Sequence, residues 1–99
     1  MQASYAEQFE REMACTEAEW LRWLPDAIGA CRWRHDDGSA AVEIGHGTLS
    51  LNWHAGEPRV IALVWLPRLH VSFRFEGLQD DQRLAFMKRF DLYMQRGGG

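Results

Sequence analysis

The chain has 99 residues, of which 46% are hydrophobic and 25% are charged, and its formal net charge at pH 7 is −3. This length is typical of one domain, and the composition excludes a disordered chain because it supplies enough apolar side chains for a core. Five tryptophans and five phenylalanines allow a sizeable core without disulfides.

The N-terminus and the cysteines indicate a cytoplasmic protein. Three glutamates precede residue 13, where a signal peptide carries basic residues. The longest strongly apolar run, residues 60–67, is too short to span a membrane. Cys15 and Cys31 have neither redox-motif nor metal-site spacing, so we expect reduced thiols, no membrane, no metal and no cofactor. Ten of the eleven basic residues are arginine, a bias that a GC-rich bacterial genome produces.

The first residues of the chain predict an amphipathic helix. Ser4 and Glu7 have the spacing of a capping box, in which two side chains bind the free N–H groups of a helix start. Tyr5, Phe9 and Met13 follow at intervals of four, which places them on one side of a helix.

A second helix is predicted from a second capping box, formed by Thr16 and Glu19. Gly29 is suited to end this helix, and Pro25 inside it is expected to cause a kink or to begin a new turn. The side chains predicted to be buried are Trp20, Leu24, Ala27 and Ile28.

Residues 30–76 change to a period of two, which is typical of strands. The turn signals that divide this stretch into five runs are Asp37-Gly38, His46-Gly47, Gly56-Glu57-Pro58 and Pro67-Arg68. Hairpins centred on the first, second and fourth of these turns pair Trp33 with Val42, Cys31 with Ile44, Ile44 with Leu49, Val42 with Leu51, Val64 with Val71, Ala62 with Phe73 and Val60 with Phe75. Because directly opposite residues share a face, all three hairpins predict the same apolar face.

This register divides the predicted sheet into an apolar face and a mixed face. The apolar face contains Cys31, Trp33, Val42, Ile44, Leu49, Leu51, Trp53, Val60, Ala62, Val64, Leu69, Val71, Phe73 and Phe75. The mixed face contains Arg32, Arg34, Glu43, Ser50, Asn52, His54, Ile61, Leu63, Trp65, His70, Ser72 and Arg74.

A last helix is predicted over residues 79–95, and its apolar stripe is Leu84, Met87, Phe90 and Met94. The elements together predict an α+β fold, with a four- or five-stranded antiparallel meander sheet and with N- and C-terminal helices packed on one face. We expect a single domain over residues 1–96, followed by a flexible glycine tail at 97–99. Within that domain, residues 1–14 form a separate helix or cover the mixed face of the sheet.

The mixed face predicts a protein-interaction surface, because three large apolar residues lie in a row among polar neighbours and contiguous exposed apolar surface usually marks an interface. The candidate binding residues are Ile61, Leu63, Trp65, His70, Arg74, Arg32, Arg34 and His54. An apolar centre with a charged border is the usual anatomy of a protein contact. We therefore expect a homodimer or a different protein as partner.

Two other functions remain open. Arginines beside Trp65 and His70 are suited to hold phosphates and to stack bases, which predicts an anion- or single-stranded nucleic-acid-binding module; the pI of about 5.7 does not favour it. A small enzyme is the other alternative. No catalytic residue and no metal ligand is predicted, because neither a G-x-S-x-G run nor a metal-type histidine spacing occurs.

The C-terminal sequence Arg96-Gly97-Gly98-Gly99 resembles the ends of ubiquitin-like modifiers and sulfur carriers. This resemblance implies a terminal glycine carboxylate that is activated and loaded, on a β-grasp fold. The helix that is predicted to run almost to the glycines departs from that fold, in which an extended strand precedes the tail. A sulfur-carrier role rests only on the terminal glycines and is kept as a further alternative. A C-terminal thiocarboxylate in the intact mass would support it.

Overall fold

The computed structural model describes residues 4–96, which form two helices and seven strands. The elements are β1 Gln8–Met13, α1 Glu17–Ile28, β2 Trp33–Asp36, β3 Ser39–Ile44, β4 Gly47–Ala55, β5 Arg59–Ile61, β6 Val64–Leu66, β7 Leu69–Glu76 and α2 Asp80–Arg96. The predicted α+β class is confirmed. Within residues 4–96, neither helix is long and apolar enough to cross a membrane. The predicted glycine tail lies outside the described residues.

Five strands form one antiparallel sheet in the order β1-β7-β4-β3-β2. Both helices pack on the same face of this sheet. The ring of Trp20 from α1 lies 5.5 Å from that of Trp53 on β4, and the ring of Phe90 from α2 lies 5.5 Å from that of Phe73 on β7. The rings of Trp20 and Phe90 are 5.9 Å apart, so the core is a layer between the sheet and the two helices.

The predicted N-terminal helix is wrong, because residues 8–13 form the edge strand β1. An interval of four residues fits one side of a helix and also one face of a strand, since four is a multiple of two. Pairing with β7 decides between them: Phe9 lies opposite Phe73, and their rings stack 4.7 Å apart. Tyr5 is buried in the same core, so this segment does not cover the mixed face of the sheet.

The second predicted helix is confirmed as α1, and its four predicted core residues are all buried. The side chain of Thr16 accepts the N–H of Glu19, while the Glu19 carboxylate accepts the N–H of Thr16. Pro25 lies inside the helix, and Gly29 ends it with a positive φ of 75° and an N–H that donates to the carbonyl of Pro25. The C-terminal helix α2 begins and ends one residue later than predicted.

The first two hairpins keep the predicted faces, with one change of register. Trp33 pairs with Val42 as predicted, but Val42 pairs with Leu49 rather than Leu51. The turn is therefore Gly45-His46, where Gly45 takes a φ of 57° that glycine adopts without strain. A shift of two residues leaves every side chain on its predicted face.

The third predicted hairpin is wrong. β7 pairs with β4 and β1, whereas β5 and β6 pair only with each other, across a turn at residues 62–63. The strands β4 and β7 both alternate strictly, so their pairing buries Leu51 against Phe73 and Trp53 against Val71. Val60 and Val64, predicted for the apolar face, are instead more than half exposed, and Ala62 is exposed as well.

Candidate functional site

The hairpin formed by residues 59–66, called the arm below, carries the most exposed apolar side chains of the described chain. It leaves the sheet between the end of β4 and the start of β7. The exposed fractions are 51% for Val60, 55% for Ile61, 95% for Leu63, 56% for Val64, 69% for Trp65 and 37% for Leu66. Together these residues expose roughly 700 Å², divided between the two faces and the tip of the hairpin, whereas the exposed apolar residues of a monomer are usually scattered singly.

The arm is held weakly by its own backbone. Its ladder has three pairs, which are Arg59 with Leu66, Val60 with Trp65 and Ile61 with Val64. Ala62 in the turn has a φ of 55°, in the left-handed region that costs a non-glycine residue about 1 kcal/mol. An isolated two-stranded hairpin is marginally stable in water, so contacts beyond the ladder are needed to keep this shape.

Some of those contacts lie at the base of the arm. The carboxylate of Glu12 on β1 forms an ion pair with Arg68, and the guanidinium of Arg59 lies 3.9 Å from the same carboxylate. The N–H of Gly56 donates to the carbonyl of Arg68 at 2.8 Å. This hydrogen bond joins the two segments that lead into and out of the arm. Glu12 therefore fixes the base of the arm to the edge strand of the sheet.

Two predicted site residues, His54 and His70, form a cross-strand pair next to this base. They lie directly opposite each other on β4 and β7, with ring centroids 5.2 Å apart. A Cβ added to Gly56 would lie 2.4 Å from Nε2 of His70, so the ring of His70 fills the space beside that glycine. In the described part of the chain, no group of three histidine, cysteine, aspartate or glutamate side chains is arranged to hold a metal ion.

The structure does not bring the predicted arginines together with the apolar row. Arg34 and Arg74 extend from β2 and β7 on the face opposite the helices, whereas Trp65 lies on the arm outside the five-stranded sheet. Arg74 lies 3.7 Å from Glu76, and Arg32 lies 3.8 Å from Glu43. The prediction that Ile61, Leu63 and Trp65 share a sheet face with His54, His70, Arg32, Arg34 and Arg74 is therefore wrong.

The face of the sheet opposite the helices is polar and carries small side chains. Directly opposite pairs on this face are Ser50 with Arg74, Asn52 with Ser72, Ala41 with Ser50 and Ser39 with Asn52. A shallow depression of about 490 Å³ beside β2 is lined by several of these residues. Trp65, which was predicted for this face and is the side chain best suited to stack on bases, lies instead on the arm.

Sequence reasoning missed Val60, Val64 and Leu66 as site residues, and it missed Glu12 as the anchor of the arm. A signal for the first three was present in the sequence, because residues 60–66 are apolar at every position. A strand with one buried face alternates, so an unbroken apolar run has a different environment. No local pattern marks Glu12, whose role depends on the pairing of β1 with β7.

The two cysteines are free thiols, one of them in the core. Burial, with a smaller contribution from the charge of Glu19, raises the pKa of Cys15 to about 11. Thiolate is the reactive form, so Cys15 is a structural side chain at neutral pH.

Comparison with protein-family models, with curated proteins and with solved structures finds no match for this chain.

Proposed function

We propose that this protein is a protein–protein interaction module of the bacterial cytoplasm, that the arm is its contact surface, and that its partner is a second copy of the chain. The observation that carries this proposal is the exposure of six large apolar side chains on an eight-residue hairpin. Transfer of such surface from water to a protein contact is favourable by about 25 cal/mol per Å². The free thiols of Cys15 and Cys31 agree with a reducing compartment.

The exposed area of the arm is close to what each chain of a stable dimer buries. Specific interfaces bury about 800 Å² on each side, and the arm exposes roughly 700 Å². Two copies that contact each other through identical arms form a closed two-fold dimer, the commonest symmetric assembly. Trp65 supplies an aromatic anchor, and the paired charges of Arg59 and Glu12 supply a polar rim, as in known interfaces.

The test is the mass of the protein in solution, measured by size-exclusion chromatography with light scattering over a range of concentrations. We expect a dimer for the native chain and a monomer for Leu63→Asp, because the tip of the arm then carries a charge into an apolar contact. Leu92→Asp is the matched control, since Leu92 is 46% exposed on α2, and it should remain a dimer. A native monomer, or a dimer that survives Leu63→Asp, would contradict the proposal.

The salt dependence of the same experiment separates the arm from the arginines of the polar face. Contacts to phosphate weaken steeply as salt rises, whereas an apolar contact does not. We expect a dimer that is insensitive to salt and has a 260/280 nm absorbance ratio typical of protein. A monomer whose ratio is raised at low salt and falls at high salt would instead favour nucleic-acid binding by Arg34 and Arg74.

A further inference from the structure

We propose that the dimer encloses the arm, so that the partner copy covers both faces of the hairpin rather than one. This inference rests on the proposed self-association through the arm. In the dimer each arm lies between the arm of the partner copy on one side and the body of that copy on the other.

The distribution of side chains on the arm carries the inference. Val60 and Trp65 are opposite each other and share one face, while Ile61, Val64 and Leu66 lie on the other face. Every one of these side chains is exposed, and on each face at least one exceeds half exposure. A hairpin that rests on a flat partner keeps its outer face in water, and that outer face is polar in antiparallel sheets. Here neither face is polar beyond the position of Arg59.

The area of each face favours cover on both sides. Each face exposes roughly 270 Å², and the tip residue Leu63 exposes roughly 180 Å². Two arms that meet only each other, through one face and the tip, would bury roughly 900 Å² in total, which is below the roughly 1,200 Å² of the smallest stable interfaces. Cover of the second face by the body of the partner buries roughly 270 Å² more on each arm and about as much on each body, which brings the total to roughly 2,000 Å² and within the usual range.

The base of the arm keeps both faces available to the partner. The ion pairs of Glu12 with Arg59 and Arg68 hold the hairpin at the edge strand, and β5 and β6 join no other strand of the described chain. The side chains on both faces of the arm therefore stay exposed in the single chain and are available to a partner.

The matched test places the same charge on each face in turn, with Val60→Asp and Val64→Asp. Both valines are about half exposed in the single chain. We expect each variant to raise the dimer dissociation constant at least about 100-fold in sedimentation equilibrium, because each dimer loses two buried valines and gains two buried carboxylates. Leu92→Asp serves again as the control. If one of the two valine variants dimerises like the native chain, the contact has one face and the inference is wrong, although the dimer stands.

A second measurement does not depend on a charge that could unfold the arm. Val60→Cys and Val64→Cys are made separately with Cys31→Ser, which leaves the buried Cys15 as the other thiol. The alkylation rate of each new thiol is compared between the dimer and the same protein carrying Leu63→Asp. We expect both rates to be at least about tenfold slower in the dimer, because burial slows thiol reactions. Protection of one position alone would overturn the inference, and a monomeric parent would overturn the proposed function as well.

Discussion

The ion pair between Arg11 on β1 and Asp91 on α2 is expected to hold the edge strand in place. Two N–H groups of the Arg11 guanidinium donate to the two carboxylate oxygens of Asp91, and the hydroxyl of Tyr5 donates to Oδ2 of the same carboxylate at 2.6 Å. The guanidinium also lies 5.3 Å from the ring centroid of Phe73. The side chains of the pair are only about a quarter exposed, so water screens this pair less than it screens a surface pair.

This geometry sets the expected loss of unfolding free energy when the ion pair is broken. Loss of a hydrogen bond to a charged group costs about 1.5–3 kcal/mol, and a fully buried charge left without its partner costs about 3–5 kcal/mol. Because water still reaches a quarter of the pair, we expect Asp91→Asn to lower the free energy of unfolding by about 2 kcal/mol. The asparagine can still accept the hydrogen bond from Tyr5, so the loss reports mainly on Arg11.

The assay is a double-mutant cycle of Arg11→Met and Asp91→Asn, followed by urea unfolding at one fixed chain concentration. We expect a coupling energy of about 1–2 kcal/mol. The control is the same cycle on the exposed pair of Arg74 and Glu76, both more than 60% exposed, for which Arg74→Met and Glu76→Gln should show a coupling energy of at most about 0.5 kcal/mol. If the coupling of Arg11 and Asp91 were no larger than that control value, the pair would not be what fixes β1.

Two further predictions concern the core and the sheet. Because burial raises the pKa of Cys15 from 9.0 to about 11, its contribution to stability is complete below pH 9 and is lost as the pH rises toward 11, by up to about 3 kcal/mol. Urea unfolding of the native chain should show this fall, and Cys15→Ala should make it less steep, with the part that burial of Tyr5 contributes by raising its pKa left in place; an unchanged slope would contradict the assignment. A Cβ at Gly47 would lie 2.4 Å from the backbone oxygen of Glu76, so Gly47→Ala should push β4 from β7 and cost about 2 kcal/mol or more. Thermal unfolding measures the loss, and an unchanged midpoint would show that the strands separate at no cost.

The strands that alternate strictly could be predicted from the sequence with their faces. Leu49, Leu51, Phe73 and Phe75 were all predicted for the apolar face, and all are buried against the helices. The reason is local, because successive side chains of a strand point to opposite faces and one buried face forces a period of two. The error in the turn after Ile44 did not alter this result, since it shifted the pairing by two residues.

The N-terminal segment shows where a local pattern is insufficient. Tyr5, Phe9 and Met13 satisfy the spacing of a helix and that of a strand equally. The strand wins because β7 offers a free edge on which Phe9 stacks against Phe73 and because Arg11 reaches Asp91 on α2. Both contacts join residues that are far apart in the chain, so no window of the sequence contains them.

The candidate site was likewise predicted in part from local sequence patterns and decided in part by pairing between distant strands. The sequence by itself determined the α+β class, the two helices and the presence of a run from Val60 to Leu66 that is apolar at every position, because these follow from composition, capping and periodicity. Only the tertiary structure decided that this run leaves the sheet, since β7 pairs with β4 over eight residues and leaves β6 to pair with β5. That competition between strands makes the apolar run an exposed arm, and it moves Trp65 away from the arginines with which the sequence had grouped it.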